Sequence, residues 1–197
     1  MKHILILALS YLLGSIPFGL LIAKWWAKVD VRKHGSGNIG MTNVLRTTGA
    51  FCAALTLIGD MGKGMAAVLI ARSFIGGDTF PLVAGLAAVF GHNWPIFLRF
   101  KGGKGVATIA GLLVAYKPWV AAVLVTIWLA VLFASRYISL ASIVVAVCLP
   151  IVLLFFGAPW LELLLALMMA AVTVFRHRSN IERLRAGTEF RFGERVN

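Results

Sequence analysis

The stretch from Gly91 to Gly105 gathers most of the residues that could do chemistry in a chain that is otherwise almost continuously apolar. It holds a histidine (His92), an asparagine, three cations and several glycines. Gly102 and Gly103 let backbone N–H groups approach a ligand closely, and Lys104 adds positive charge beside them. An apolar run follows at once, so these amides are expected at a helix N-terminus, where unpaired donors and the helix dipole favour anions. The pattern predicts a phosphate or oxyanion site at a membrane surface, and a flexible basic loop that binds lipid headgroups is the alternative.

A second glycine-rich stretch alternates glycines with small hydrogen-bonding side chains and ends in an arginine. Such a loop can form a nest of backbone N–H groups around an anion, and its Ser, Thr and Asn side chains add donors. The arginine can grip a phosphate with two parallel hydrogen bonds. An ordinary glycine-rich turn is the alternative interpretation. The candidate binding residues of this stretch are Gly35, Ser36, Gly37, Asn38, Thr42, Asn43 and Arg46.

Nucleotide, metal and cofactor sites are not expected. The P-loop motif G-x-x-x-x-G-K-[ST] needs a first glycine and a final Ser or Thr, and both are missing around Lys63 and Lys104. The two cysteines, Cys52 and Cys148, lie in apolar stretches, and no set of four ligands at metal spacing accompanies them.

The composition is that of a polytopic membrane protein. Hydrophobic residues make up 60% of the chain, charged residues 13%, and the mean hydropathy is +0.92. The net charge of +12 indicates orientation in a membrane and anionic substrates, not nucleic acid. The apolar run from Ile4 has no cleavage pattern after it, and Lys24-Trp25-Trp26 reads as an interfacial anchor. This run is therefore expected to be an uncleaved span, not a secretory signal.

The predicted fold is all-α, with seven transmembrane helices that include short and broken ones, in a single domain over residues 1–197. Pro17, within Gly14 to Gly19, should kink the first span. The run Gly59 to Gly64 is expected to break the second, and the fourth is only half-length, which a membrane tolerates where helix ends are covered by protein. The apolar segments are 4–23, 50–71, 80–90, 106–115, 120–134, 139–156 and 160–175.

The cations predict the orientation of the chain. Most of the 19 Lys and Arg residues collect on one side of the predicted spans, and only Lys2, Arg72 and Lys117 fall on the other. The positive-inside rule places the cation-rich side in the cytoplasm. Seven spans then put the N-terminus in the periplasm and the C-terminus in the cytoplasm, with both glycine-rich loops on the cytoplasmic face.

Two ionisable groups lie inside a span. Asp60 and Lys63 are three residues apart, so they share one face of a helix and can neutralise each other. A functional site and a structural ion pair are equally good interpretations. His92, at the end of the third span, could act as a general base or donate to a substrate oxygen, and a helix-end cap is the alternative.

Polar residues near the ends of the last two spans complete the candidates. His177 and Asn180, three residues apart on a helix expected to continue, could both face a site. His177 with Glu182 matches the His-x4-Asp signature of one acyltransferase group only weakly, because the acid differs. Ser142 lies deeper than a helix cap, which indicates contact with a substrate hydroxyl or phosphate. No serine or cysteine stands in a triad arrangement.

These stretches, taken in order along nearly the whole chain, resemble the PlsY family of bacterial acyl-phosphate:glycerol-3-phosphate acyltransferases. Met41 departs from the family pattern, which more often has alanine there, but it removes no polar group. The stretches that carry the resemblance are Gly14 to Gly19, Gly35 to Arg46, Asp60 to Gly64, Gly91 to Gly105 and Tyr137 to Ser142.

The resemblance implies that an acyl group passes from acyl-phosphate to the 1-hydroxyl of sn-glycerol 3-phosphate. The products would be lysophosphatidic acid and phosphate, in phospholipid biosynthesis. The implied location is the bacterial inner membrane, with the active site facing the cytoplasm and membrane lipids around it. No cofactor and no nucleic acid are implied, and a soluble phosphate acyltransferase that makes the acyl-phosphate is the implied functional partner.

The candidate residues take roles in this reaction. The loop residues Ser36, Gly37, Asn38, Thr42 and Asn43 are assigned to the acyl-phosphate and its developing oxyanion. His92 orients or deprotonates the hydroxyl, or a phosphate oxygen of the donor takes that proton instead. A transporter of a phosphate-bearing solute is the alternative, although the motifs cluster at one membrane face and no repeat is visible. The residues assigned to glycerol 3-phosphate are Arg46, Lys104, Ser142, His177 and Asn180.

Overall fold

The computed structural model describes residues 1–77 and 79–194, and within these ranges its regular structure is entirely helical. Short 3-10 turns occupy Val31–Lys33 and Ile96–Leu98. The α-helices are α1 (Lys2–Gly14), α2 (Phe18–Trp26), α3 (Met41–Thr48), α4 (Ala50–Phe74), α5 (Thr79–Asn93), α6 (Val106–Tyr116), α7 (Pro118–Ser135), α8 (Ile138–Phe155), α9 (Trp160–Arg176) and α10 (Arg178–Arg185).

The described residues form two compact units. The first unit, Met1–Tyr116, contains α1 to α6, and the second, Lys117–Glu194, contains α7 to α10. The single domain expected over residues 1–197 stays a prediction.

In the first unit, α4 is the central helix, and it packs against each of the other five. Glycines bring the helix backbones together, as is usual in membranes, where small residues replace the hydrophobic effect as the means of close association. A methyl group on Gly64 would collide with the Thr108 carbonyl, and one on Gly111 would collide with the Met61 carbonyl. The contact between α4 and α6 therefore depends on glycine at both positions.

The first span is broken as the sequence predicts. Helix α1 ends at Gly14 and α2 begins at Phe18, on either side of Pro17, which cannot donate a helical hydrogen bond. Together the two helices make a 25-residue segment apolar enough to cross a membrane.

The predicted break in the second span is wrong. Helix α4 runs without interruption for 25 residues through Gly59 to Gly64. The glycines serve close packing instead: Gly59 lies against the Phe18 ring and Gly64 against α6. The two charges do not disrupt the helix, because they pair with each other within it.

Five helical segments of the described chain are long and apolar enough to cross a membrane, or six if α9 and α10 count as one bent span. Helix α6 has only 11 residues, in agreement with the half-length helix predicted there. The total of seven spans and the orientation of the termini stay predictions.

In the second unit, α8 packs between α7 and α9. Pro118 occupies the first turn of α7, where its missing N–H is harmless. The Lys117 ammonium and the Glu162 carboxylate pair at the start of α7 and α9. The chain bends by 57° between α9 and α10, with His177 at the bend. His177 and Asn180 therefore do not share a continuing helix, which corrects the expectation from their spacing.

Candidate active site

The glycine-rich stretch of the first unit is organised by a buried asparagine. The Asn43 side chain is 1% exposed, and its amide nitrogen donates to the Val31 and Asn38 carbonyls, each at 2.9 Å. Its amide oxygen accepts from the Ser36 N–H at 2.9 Å. Gly35 has a φ of +58°, and a methyl group there would collide with the Asn43 amide oxygen. The glycine and the asparagine thus fix the loop together.

This arrangement changes the expected roles within the stretch. Thr42, Asn43 and Arg46 belong to α3 and not to the loop, because the helix begins at Met41. Both polar atoms of the Asn43 side chain bond to the protein, so its function is to shape the loop. The Asn38 side-chain oxygen accepts from the Gly40 N–H at 2.8 Å and forms a tight turn ahead of α3.

The loop beside this stretch carries a strongly acidic carboxyl. Asp30 caps the turn at Val31 and pairs with Arg32 at 2.6 Å and Lys24 at 3.5 Å. The hydrogen bond from the Arg32 guanidinium, aided by the nearby cations, holds the pKa of Asp30 well below its ordinary value. This carboxylate secures the segment whose Val31 carbonyl accepts from Asn43.

The glycine-lysine loop lies against the end of α5. The Gly103 N–H donates to the His92 carbonyl at 3.0 Å. A methyl group on Gly103 would collide with His92 Nε2, so glycine is required for this approach. The loop then enters α6 at Val106, as the sequence predicts, through Gly105 with a φ of +81°. Lys104 is half-buried in this loop.

Asn93 is an addition to the predicted site. Its side chain is 0% exposed and lies beside Gly105, where a methyl group would come within 2.8 Å of its oxygen. Neither polar atom of this side chain has a hydrogen-bond partner among the residues that the structure describes. A buried, unsatisfied amide next to the first turn of α6 is suited to a polar ligand.

A charged cluster lies beneath the same loop. Asp60 Oδ1 is 2.8 Å from Lys63 Nζ and 3.4 Å from His92 Nδ1, and all three side chains are at least nine-tenths buried. Lys63 Nζ also donates to the Ile16 carbonyl at 3.1 Å, at the break between α1 and α2. The predicted pairing of Asp60 with Lys63 is confirmed.

The second unit has its own group of polar side chains. His177 Nδ1 lies 2.7 Å from the Thr173 carbonyl, so this nitrogen carries the hydrogen. The Asn180 amide nitrogen donates to Glu189 at 2.7 Å, and Arg183 Nε donates to the same carboxylate at 2.7 Å. Both His177 and Asn180 are buried. His177 lies at the bend just before α10, and Asn180 lies in the first turn of that helix.

Ser142 lies in α8 of the second unit. Its hydroxyl donates to the Ile138 carbonyl at 2.8 Å and accepts from Trp128 Nε1 at 3.3 Å. Ser139, one turn earlier, is buried, and its hydroxyl has no hydrogen-bond partner within the described ranges. Across those ranges there is also no group of three or more His, Cys, Asp and Glu side chains that could hold a metal ion.

Comparison with other proteins identifies the family. Residues 4–187 match the family described as glycerol-3-phosphate acyltransferase. The chain is 46% identical to the glycerol-3-phosphate acyltransferase of Desulforudis audaxviator, with 98% of this chain and 96% of that one covered. It is 48% identical to that of Rubrobacter xylanophilus, with 99% and 98% covered. The chain belongs to the glycerol-3-phosphate acyltransferase family.

Solved structures of this family have the same fold. A crystal structure of PlsY, an integral membrane glycerol 3-phosphate acyltransferase in its glycerol 3-phosphate form, aligns with a TM-score of 0.93 and 42% identity over 98% of this chain and 96% of that one. The lysophosphatidic acid form aligns with a TM-score of 0.90 and 41% identity, at the same coverage. The chain is thus an integral membrane protein of the PlsY type, as its sequence resemblance implied.

The structure brings together several candidates of this acyltransferase. His92 contacts Gly103 directly, and Asn43 ties Ser36 to Asn38. Glu189 and Asn93 were missed. Glu189 lies nine residues from Asn180, which no helical spacing connects, and no local spacing connects Asn93 with Gly105.

Proposed function

We propose that this chain transfers an acyl group from acyl-phosphate to the 1-hydroxyl of sn-glycerol 3-phosphate. The hydroxyl oxygen attacks the acyl carbon, and a tetrahedral oxyanion forms. The bond from carbon to the phosphate oxygen then breaks, giving 1-acylglycerol 3-phosphate and inorganic phosphate. A mixed anhydride is already activated, so this reaction needs no covalent enzyme nucleophile.

One observation carries the proposal: the first unit holds two glycine-rich loops, each leading into a helix N-terminus. The first leads through Gly40 into α3, and the second through Gly105 into α6. Helix N-termini favour anions, and both substrates of the proposed reaction carry phosphate. The buried, unsatisfied Asn93 amide beside Gly105 supports a ligand at the second loop.

The first loop is assigned to the acyl-phosphate. Ser36, Asn38 and Thr42 would supply donors to its phosphate and to the oxyanion, with the backbone at Gly35 and Gly37 allowing close approach. Asn43 contributes by holding this loop in shape.

The second substrate, glycerol 3-phosphate, is assigned to a set of cationic and polar residues. Arg46, together with the loop residues Gly102, Gly103 and Lys104, would bind its phosphate. Ser142, His177 and Asn180 are likewise assigned to glycerol 3-phosphate. Lys104→Ala should then raise the KM for glycerol 3-phosphate about tenfold or more, because a charge-assisted hydrogen bond is lost. An unchanged KM would contradict this assignment.

A phosphate oxygen of the donor is the better candidate for the base. His92 is 4% exposed, with Nδ1 toward Asp60 and Nε2 against Gly103. Such burial supports a structural role for the ring over proton transfer to a mobile substrate. His92→Ala should accordingly keep both limbs of the pH–rate profile, and loss of a limb near the ordinary histidine pKa would favour His92 as the base.

The proposed location is the bacterial inner membrane, with both glycine-rich loops on the cytoplasmic side. The excess of cations predicted on that side supports this orientation. A soluble phosphate acyltransferase would supply acyl-phosphate there, and the acyl chain of the product would enter the lipid.

The decisive experiment assays purified protein in lipid nanodiscs with glycerol 3-phosphate and one of three donors: palmitoyl-phosphate, palmitoyl-CoA or palmitoyl carrier protein. Lysophosphatidate and phosphate should form with palmitoyl-phosphate alone. Product from palmitoyl-CoA would contradict the proposed donor, and no product from any donor would contradict acyl transfer itself.

A further inference from the structure

The Asp60, Lys63 and His92 cluster is not used by the chemistry described above, yet it places two charged residues inside a membrane span. Lys63 is 1% exposed and Asp60 is 2% exposed. Burying an ion pair is costly, and apolar residues of similar size would often be as stable. A cluster of this kind therefore suggests a role beyond holding α4 together.

Asp60 is at the centre of the cluster and faces both other members. Lys63 balances Asp60 at 2.8 Å, and the Ile16 carbonyl accepts from the same ammonium group at 3.1 Å. Asp60 Oδ1 also faces His92 Nδ1 at 3.4 Å, which favours the proton on that nitrogen. The carboxylate thereby favours this orientation of the imidazole ring.

The ring in turn supports the glycine-lysine loop. The opposite nitrogen, Nε2, lies against Gly103, where even a methyl group would not fit. The His92 carbonyl accepts from the Gly103 N–H at 3.0 Å. A methyl group on the neighbouring Gly102 would likewise collide with the His92 and Asn93 carbonyls. The loop backbone is thus seated on His92 by its ring and by its main chain.

We infer that Asp60, Lys63 and His92 are positioning residues that hold the loop from Gly102 to Gly105 in its binding geometry. The ion pair orients the imidazole ring, and the ring in turn supports the loop at Gly103. The inference rests on the proposed binding of glycerol 3-phosphate by this loop. A displaced loop should weaken binding of that substrate and leave the donor site in the Gly35 to Asn43 stretch intact.

The first test separates the two substrates kinetically. Asp60→Asn should raise the KM for glycerol 3-phosphate about tenfold, while the KM for palmitoyl-phosphate changes by less than about twofold. If Asp60→Asn folds poorly because Lys63 is left uncompensated, the neutral double variant Asp60→Asn/Lys63→Met removes that penalty and should show the same selective rise. An equal change in both KM values, or a fall in kcat alone, would overturn the inference.

The second test is a double-mutant cycle across the ring and the loop. Gly103→Ala should raise the KM for glycerol 3-phosphate about tenfold, because the new methyl group meets the His92 ring. In His92→Ala/Gly103→Ala the ring is gone and the methyl group has room. The double variant should therefore be no worse than His92→Ala. Strictly additive effects would overturn the inference, because they would mean that ring and loop do not act through each other.

A matched control is available in the second unit. Glu162→Gln makes the same kind of change in another ion pair, that of the buried Glu162 with the half-buried Lys117, and should leave both KM values unchanged. Wild-type turnover of palmitoyl-phosphate in the same assay tests the proposed function separately. If the wild type is active and Asp60→Asn leaves the KM for glycerol 3-phosphate unchanged, the positioning role is contradicted. The proposed acyltransferase function is then still supported.

Discussion

Two buried carboxylates, one in each compact unit, have closely similar partners but different surroundings. Asp60 lies 2.8 Å from the Lys63 ammonium, and Glu189 lies 2.7 Å from the Arg183 guanidinium. Each carboxylate also faces a polar side chain of the candidate site. The cations differ in exposure: the Lys63 side chain is 1% exposed and that of Arg183 is 28% exposed.

This comparison indicates how much the stability of the protein depends on each cation. A carboxylate orients His92 in one unit and Asn180 in the other, and in both the cation balances its charge. Where the pair lies within a membrane span, water cannot replace the lost cation, so its removal leaves an uncompensated charge. Where the cation reaches solvent, water and salt can compensate for much of its loss.

The largest effect is expected for Lys63→Met. It should lower the free energy of unfolding by about 3–5 kcal/mol, because Asp60 would be left buried without its cation. Thermal unfolding in detergent micelles measures this. Asp60→Asn/Lys63→Met should recover at least half of the lost stability. If Lys63→Met were as stable as the wild type, the buried cation would not matter as the comparison claims.

Glu189→Ala should have the next largest effect. It leaves the buried Asn180 amide without its carboxylate acceptor, at a cost of about 1–3 kcal/mol. We expect kcat/KM for glycerol 3-phosphate to fall, with most of it retained in Glu189→Gln, whose side-chain oxygen still accepts from Asn180. Equal losses in the two variants would show that the negative charge, not the orientation of Asn180, matters.

Gly105→Ala tests the loop that the first carboxylate is inferred to support. The φ of +81° and the Asn93 oxygen both oppose a methyl group, so a loss of about 1–3 kcal/mol is expected. Gly62→Ala is the matched control, because Gly62 lies in the middle of α4 with open space around it. This substitution should leave the free energy of unfolding unchanged or raise it slightly. Similar unfolding temperatures for the two variants would contradict the strain at Gly105.

Arg183→Met provides the direct contrast with Lys63→Met. The loss of stability should be about 1 kcal/mol or less, because the guanidinium is partly exposed. The same thermal unfolding assay measures both variants. A loss as large as that in Lys63→Met would show that burial of the cation does not set the difference.

The smallest effect is expected at a third carboxylate, Asp30, which pairs with exposed cations. Its pKa lies below the ordinary 3.8, so its stabilising effect is present above that pH and is lost as the pH falls through the folded-state value. Asp30→Asn should lower the unfolding temperature by about 1–3 °C at pH 7. The difference from the wild type should shrink toward pH 3, and a growing difference would contradict the depressed pKa.

Several features of the fold were predictable because they depend on local sequence. The apolar segments identify the helices, Pro17 breaks the first span, and the glycine run before Val106 leads into α6. The break predicted at Gly59 to Gly64 failed because a glycine-rich run weakens a helix in isolation but lets it pack closely in a membrane.

The sequence by itself determined the helical class, the two glycine-rich loops and the pairing of Asp60 with Lys63, because helical spacing and composition act over a few residues. Only the tertiary structure decided that Asp60 meets His92, 32 positions further along, and that Glu189 meets Asn180. Contacts between separate elements depend on which helix faces pack together, and no local spacing encodes that choice. The same packing turned Asn43 from an expected ligand of the substrate into the residue that holds its loop.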